Sequence, residues 1–163
     1  MSTITELRRI LGSCKTIAVV GLSPQWHRPS FFAAKYMQAH GYRIVPVNPT
    51  AGEILKERCY PSLAEAATAL ATEGVTIDMV DCFRRTDDIP PIADEAISIG
   101  AKCLWQQIGV KNEAAAAKAR AAGLDCVMDR CVKIEHARLF GGLNWAGVNT
   151  KVISARRPQQ LFY

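Results

Sequence analysis

Apolar positions along the chain follow two rhythms, three-to-four and continuous. Ile4, Leu7, Ile10 and Leu11 fall on one face of a short N-terminal helix. Thr16 to Gly21 is nearly all apolar, as suits a central parallel strand covered on both faces. The run stops at Gly21, a polar loop follows, and a helix opens at Ser30 behind Pro29, with Ser30 as its expected cap. That helix ends at His40-Gly41, where glycine serves as the left-handed stop. Tyr42 to Pro49 reads as a second strand, and Thr50 to Tyr60 as a loop with a short strand at Glu53-Ile54-Leu55. Ser62, with Glu65 three residues on, predicts a capping box for an alanine-rich helix running through Leu70. Thr76 to Phe83 is a third strand. Asp87-Asp88 and Pro90-Pro91 lead into a helix over Ile92 to Ile99, which Gly100 stops.

Ala101 to Gln107 forms a fourth strand. Asn112 caps a helix from Glu113 to Ala122, with Gly123 as its stop. Leu124 to Met128 is a fifth strand, and Val132 to Leu139 a last helix. Strands alternating with helices through short loops predict an α/β fold: a doubly wound parallel sheet of about five strands with helices on both faces. Right-handed crossovers leave few strand orders. The order 3-2-1-4-5 is preferred, with 2-1-3-4-5 second. Residues 1–140 read as one domain and 141–163 as a tail without an assigned role.

In such a sheet, ligands bind at the carboxyl ends of the strands, beside the switch in strand order. The strand, glycine turn and helix start around Gly21 to Ser30 are how a phosphate-binding βαβ unit begins, because unpaired N–H groups and the helix dipole attract anions. A dinucleotide fingerprint has three glycines here, and this loop has one. A cofactor of the NAD type also calls for an acid at the end of the second strand, roughly 20 residues beyond the glycines. Asn48-Pro49 stands there instead, and no arginine follows at once to take a 2′-phosphate.

The rim gathers four cations, Arg28, Arg84, Arg85 and Arg130, which suit a pyrophosphate. Some of them have an alternative in pairing with Asp81, Asp87, Asp88 or Asp129. Trp26 and Trp105 have two readings each, stacking on a base or plain packing. Asn48 offers a donor and an acceptor to a sugar, or caps its own turn.

Charge and composition narrow the classes further. In 163 residues, 49% are hydrophobic and 21% charged, an ordinary globular mixture, and the net charge is +5. That balance favours an anionic ligand, but no long Lys/Arg run points to nucleic acid. No apolar run approaches the roughly 18 residues of a membrane span. Met1 to Lys15 lacks the apolar core of a secretory signal, so a cytoplasmic setting is expected. The six cysteines form no C-x-x-C pair, which speaks against zinc and for thiols that pack. Cys131, beside Arg130, is the candidate for a lowered pKa and a reactive role. His27, His40 and His136 sit in no nucleophile or metal motif, and no catalytic or metal-binding residue is assigned.

Several pieces together resemble one family. Val19-Val20-Gly21-Leu22-Ser23, Arg28-Pro29-Ser30, Gly41-Tyr42, Val45-Pro46-Val47-Asn48-Pro49, Asp78-Met79-Val80-Asp81, Leu104-Trp105-Gln106 with Gly109-Val110, and Val127-Met128-Asp129-Arg130-Cys131 look like the small stand-alone CoA-binding proteins. These are similar to the CoA-binding domain of the succinyl-CoA synthetase α subunit. The resemblance spans roughly Ile10 to Leu139. It implies a Rossmann-like fold holding the CoA pyrophosphate near Gly21 to Ser30 and the nucleotide near Asn48-Pro49. The expected contact set is Gly21, Leu22, Ser23, Arg28, Ser30, Asn48, Pro49, Phe83, Arg84, Gln106, Gly109 and Arg130. The implied ligand is CoA or a short acyl-CoA, bound by a non-catalytic carrier, sensor or partner module of unassigned oligomeric state. The rivals are an NAD(P)-dependent oxidoreductase and a thiol-redox protein using Cys131 or Cys82.

Overall fold

The structure, a computed structural model, describes residues 2–141. The tail predicted from 141 onward therefore lies, beyond its first residue, outside the described residues. In chain order the elements are α1 (Ile4–Ser13), β1 (Thr16–Val20), α2 (Pro29–Ala39), β2 (Arg43–Val47), β3 (Glu53–Ile54), β4 (Glu57–Arg58), α3 (Leu63–Ala71) and β5 (Met79–Cys82). Then follow α4 (Ile89–Ser98), β6 (Cys103–Gln106), α5 (Glu113–Ala121), β7 (Asp125–Val127) and α6 (Val132–Phe140). The expected α/β class and its five parallel strands are present. The expected short strand near Glu53 is half of a two-stranded hairpin, β3 with β4, turned through Leu55 and Lys56 at φ 55° and 63°.

The sheet order is β2-β1-β5-β6-β7. Counting only its own strands, that is 2-1-3-4-5, the second expectation, and it replaces the preferred 3-2-1-4-5. Two features explain the order. Asp78, just before β5, accepts the backbone N–H groups of Lys15 (2.8 Å) and Thr16 (3.1 Å), which pins β5 beside β1. Pro46 makes β2 an edge strand, because a proline cannot donate to a ladder on its outer side. Its carbonyl faces that side and accepts only the Tyr60 N–H, at 3.0 Å.

Side chains alternate across the sheet. Ile17, Val19, Ile44, Met79, Cys103, Trp105 and Val127 face the layer of α1, α2 and α6. Ala18, Val45, Val47, Val80, Cys82, Leu104 and Cys126 face α3, α4 and α5. Five of the six thiols are buried, Cys131 is half-buried, and none is paired.

Helix starts depart from expectation in three places. Ser30 is not the cap of α2; Arg28 occupies that position, Pro29 is the first helical residue, and no side chain caps the end. Only half of the capping box expected at Ser62 forms, its hydroxyl accepting the Glu65 N–H at 3.2 Å. The complete box is at Thr3 and Glu6, ahead of α1. Helix α4 begins three residues before the expected Ile92, because Pro90 and Pro91 fit its first turn, where an N–H is not needed.

Gly21 carries the sharpest constraint. Its φ is +85°, and a Cβ there would collide with the carbonyl oxygen of Phe83 and lie 2.9 Å from the Arg84 side chain. Gly21→Ala is therefore expected to lower stability by about 1–3 kcal/mol. At roughly 2–4 °C per kcal/mol for a chain of this length, calorimetry should show a clear fall in melting temperature. An unchanged melting temperature would show that the two backbones do not meet here.

Candidate ligand-binding site

From β1 the chain passes to α2 on one face of the sheet. From β5 it passes through a 3-10 turn (Thr86–Asp88) to α4 on the other. The two exits diverge, so a crevice opens above the carboxyl ends of neighbouring strands at the switch in order. Gly21 lies at its base, just beyond β1 and against the Phe83 carbonyl that follows β5.

The loop over this crevice is tied by its own serines and by β2. The Ser23 N–H donates to the buried Ser30 hydroxyl (3.1 Å), and the Gln25 N–H to the Ser23 hydroxyl (3.1 Å). Asn48 clasps the loop from the side: its Nδ2 donates to the Leu22 carbonyl (2.8 Å), and its Oδ1 accepts both the N–H and hydroxyl of Thr50 (2.8 Å each). The Leu22 side chain is fully buried, so only its backbone faces the loop. Pro49 is exposed beside Asn48.

The four arginines separate. Arg84 and Arg85 share Asp88, at 3.3 and 3.6 Å. Arg130 reaches Glu135, a fully buried acid, at 3.1 Å. Arg28 has no acidic partner among the described residues; its Nε donates to the Gln25 amide oxygen at 3.3 Å. Thus a free cation stands beside the uncapped start of α2. Of the acids expected as partners, Asp129 instead accepts the Gly109 N–H at 2.7 Å, and Asp81 pairs with Gln107.

Other expected site residues are placed with less access to the crevice. Gln106 is fully buried, and its amide closes the β6–α5 turn by accepting the Asn112 N–H (2.7 Å) and donating to the Asn112 carbonyl (3.3 Å). Phe83 is half-buried, and its N–H donates to the Val20 carbonyl at 2.9 Å. Trp105 is buried, with its indole N–H on the Arg130 carbonyl at 2.7 Å, so of its two readings packing holds. Trp26 is 72% exposed beside the loop.

Burial pushes the Cys131 thiol up, against the lowered pKa expected from Arg130, whose guanidinium is spent on Glu135. Sequence reasoning missed the Asp81–Gln107 pair as a unit. Asp81 is 1% exposed on β5, and burial pushes its carboxyl up to about 7. An acid inside an apolar strand was the available signal.

A cavity of about 210 Å³ lies at the other end of α2, lined by Leu11, Lys15, His40, Tyr42, His136 and Phe140. It is not the crevice: an eleven-residue helix, about 16 Å long, separates them. His40 and His136 are held there by Tyr36, through its carbonyl (2.7 Å) and its hydroxyl (3.0 Å). No group of three metal-ligating side chains exists among the described residues, and none of their helices is long and apolar enough to cross a membrane.

A glycine-bottomed crevice at a strand-order switch, with an uncapped helix start and a cation above it, is a Rossmann-like arrangement whose chemistry suits an anion. The chain belongs to the CoA binding domain family, whose pattern matches residues 15–137. It is 40% identical over 132 residues to the uncharacterised protein YneT of Bacillus subtilis, spanning 81% of this chain and 93% of that one. Over 92 residues it is 37% identical to an ADP-forming acetate–CoA ligase of Archaeoglobus fulgidus; that match spans 51% of this chain but 14% of the ligase. A solved structure of a hypothetical protein from Pyrococcus horikoshii superposes with a TM-score of 0.77 at 38% identity, over 86% of this chain and 94% of that one.

The clasp supplies a test of loop geometry. Asn48→Asp keeps the acceptor for Thr50 and loses the donor to Leu22. The cost expected for an orphaned carbonyl is about 1–3 kcal/mol, read as a fall in melting temperature. Parental stability would show that Asn48 does not hold the loop.

Proposed function

We propose that this protein binds coenzyme A, free or as a short acyl thioester, in the crevice between β1 and β5. It does so as a carrier, sensor or partner module with no chemistry of its own. The observation that carries the reading is the start of α2. Arg28 leaves the helix without a side-chain cap, and Pro29, which has no N–H, opens it. With the Phe31 and Phe32 N–H groups on the Arg28 carbonyl, the first turn offers a pyrophosphate the Ser30 N–H and the positive end of a dipole. Gly21 lets the chain turn sharply against the Phe83 carbonyl at the base of the crevice, and Arg28 supplies a cation without an acidic partner among the described residues. Family membership selects CoA among the possible anions.

The nucleotide end fits the same ligand. CoA carries a phosphate on its adenosine ribose, and a carboxylate at the end of β2 would repel it. Asn48 and Pro49 stand there without charge. Asn48 is engaged with Leu22 and Thr50, so its part is to shape the loop and keep that end neutral. The same residues argue against NAD, whose ribose hydroxyls call for an acid at this position. Arg84, half-exposed above Gly21, reaches the ligand by leaving Asp88. The unpaired thiols suit a reducing, cytoplasmic setting.

A thermal-shift titration tests the reading on protein first checked for ligand carried through purification. CoA at about a hundred times its dissociation constant adds roughly 2.7 kcal/mol. The melting temperature should then rise by roughly 5–10 °C. NADH and NADPH should do much less, and Arg28→Glu should weaken the CoA effect without unfolding the protein. No shift with CoA or acetyl-CoA, and no heat of binding, would refute it.

A further inference from the structure

Asp81 lies two residues below Phe83 on β5, in register with Val19 of β1 and Trp105 of β6. It therefore sits on the face covered by α2 and α6, just under the carboxyl edge where the crevice opens. It is 1% exposed. Gln107 bridges it to the helix layer: the amide Nε2 donates to Asp81 Oδ1, and the amide oxygen accepts the Val132 N–H, the first of α6, at 3.4 Å. The carboxyl thus sits in the sheet with a neutral amide as partner and no cation paired with it among the described residues.

The charged groups around it are committed elsewhere. On the approach to α6 and along it, Arg130 and Arg138 hold Glu135, and Lys133 stands over the Tyr36 ring. At the end of β5, Arg84 and Arg85 hold Asp88. Along α2, Arg28 and Lys35 are exposed. The titratable groups that feel Asp81 are three thiols: Cys82 next to it, Cys103 on β6 and Cys131 at the head of α6.

Resting on the function proposed above, we propose that Asp81 is the proton-sensitive floor of the CoA crevice. As a neutral acid it tolerates the phosphates overhead, and as a carboxylate it opposes them. Burial without a counter-ion is what keeps such an acid protonated near neutrality, and the carboxyl is pushed up to about 7. Raising the pH through that value places an uncompensated negative charge beneath a polyanion, so CoA should be held less tightly on the alkaline side. At ~10 Å and an effective dielectric of ~20, one added charge changes affinity on the order of tenfold.

The test is calorimetric titration of CoA at pH 6 and pH 8, at fixed ionic strength, with the parent and Asp81→Asn. Asparagine keeps the acceptor for Gln107 and stays neutral. The parent should weaken on the order of tenfold more than the variant between the two pH values. Titration of the ligand's own phosphates appears in both proteins and cancels. Equal slopes in two proteins that bind CoA would overturn this inference and leave the proposed function standing. No CoA binding by the parent at either pH would defeat both. Should Asp81→Asn fail to fold, carbon-13 NMR of the parent carboxyl decides: a midpoint near neutrality supports the assignment, and one near an ordinary ~4 overturns it.

Discussion

Two backbones meet where β1 ends, and the rest of the carboxyl edge is arranged around that meeting. Gly21 turns at φ +85° against the carbonyl of Phe83. Any side chain there would force the strands apart. With none, β1 and β5 stay paired to their last residues while their exits leave for opposite faces. The crevice follows from that divergence. So does the position of α2, whose first turn must rise over Gly21. Asn48 then fixes the loop between them by holding the Leu22 carbonyl.

Most polar groups at this edge are engaged in building it. Gln106 closes the β6–α5 turn, Asp129 holds the Gly109 N–H, and Glu135 gathers Arg130 and Arg138. The start of α2 and Arg28 stand apart because, among the described residues, no side chain caps the one and no acid pairs with the other. Buried groups that were paired at folding have little to offer a ligand, whereas an uncapped helix end with a nearby cation keeps its attraction for an anion. Asp81 is the counterpart below the edge, a buried acid held by an amide instead of a charge.

The fold class was legible because its signals are local. A continuous apolar run marks a strand covered on both faces, and glycines at Gly41, Gly100 and Gly123 mark helix ends at positive φ. Strand order was less legible, since it depends on long-range pairing. Even so, Pro46 already marked β2 as an edge, and Asp78 before β5 is the residue that ties it to β1. The placement of Gly21 and of the helix after it was readable from sequence. The fate of each side chain was not. Arg130 beside Cys131 suggests an activated thiol, but its partner Glu135 comes one helical turn later and takes the charge. Ser30 looks like a cap and proves to be a strut, because Pro29 moves the helix start back by one residue.

The central claim is that one ligand lies across the switch between β1 and β5 with its pyrophosphate on α2. A crystal structure of the protein grown with CoA tests this most directly. The account predicts density for two phosphates against the backbone of the first turn of α2, within reach of Arg28, and adenosine toward Pro49. Density for CoA in the cavity between His40 and His136 at the opposite end of α2, with the Gly21 crevice empty, would contradict it.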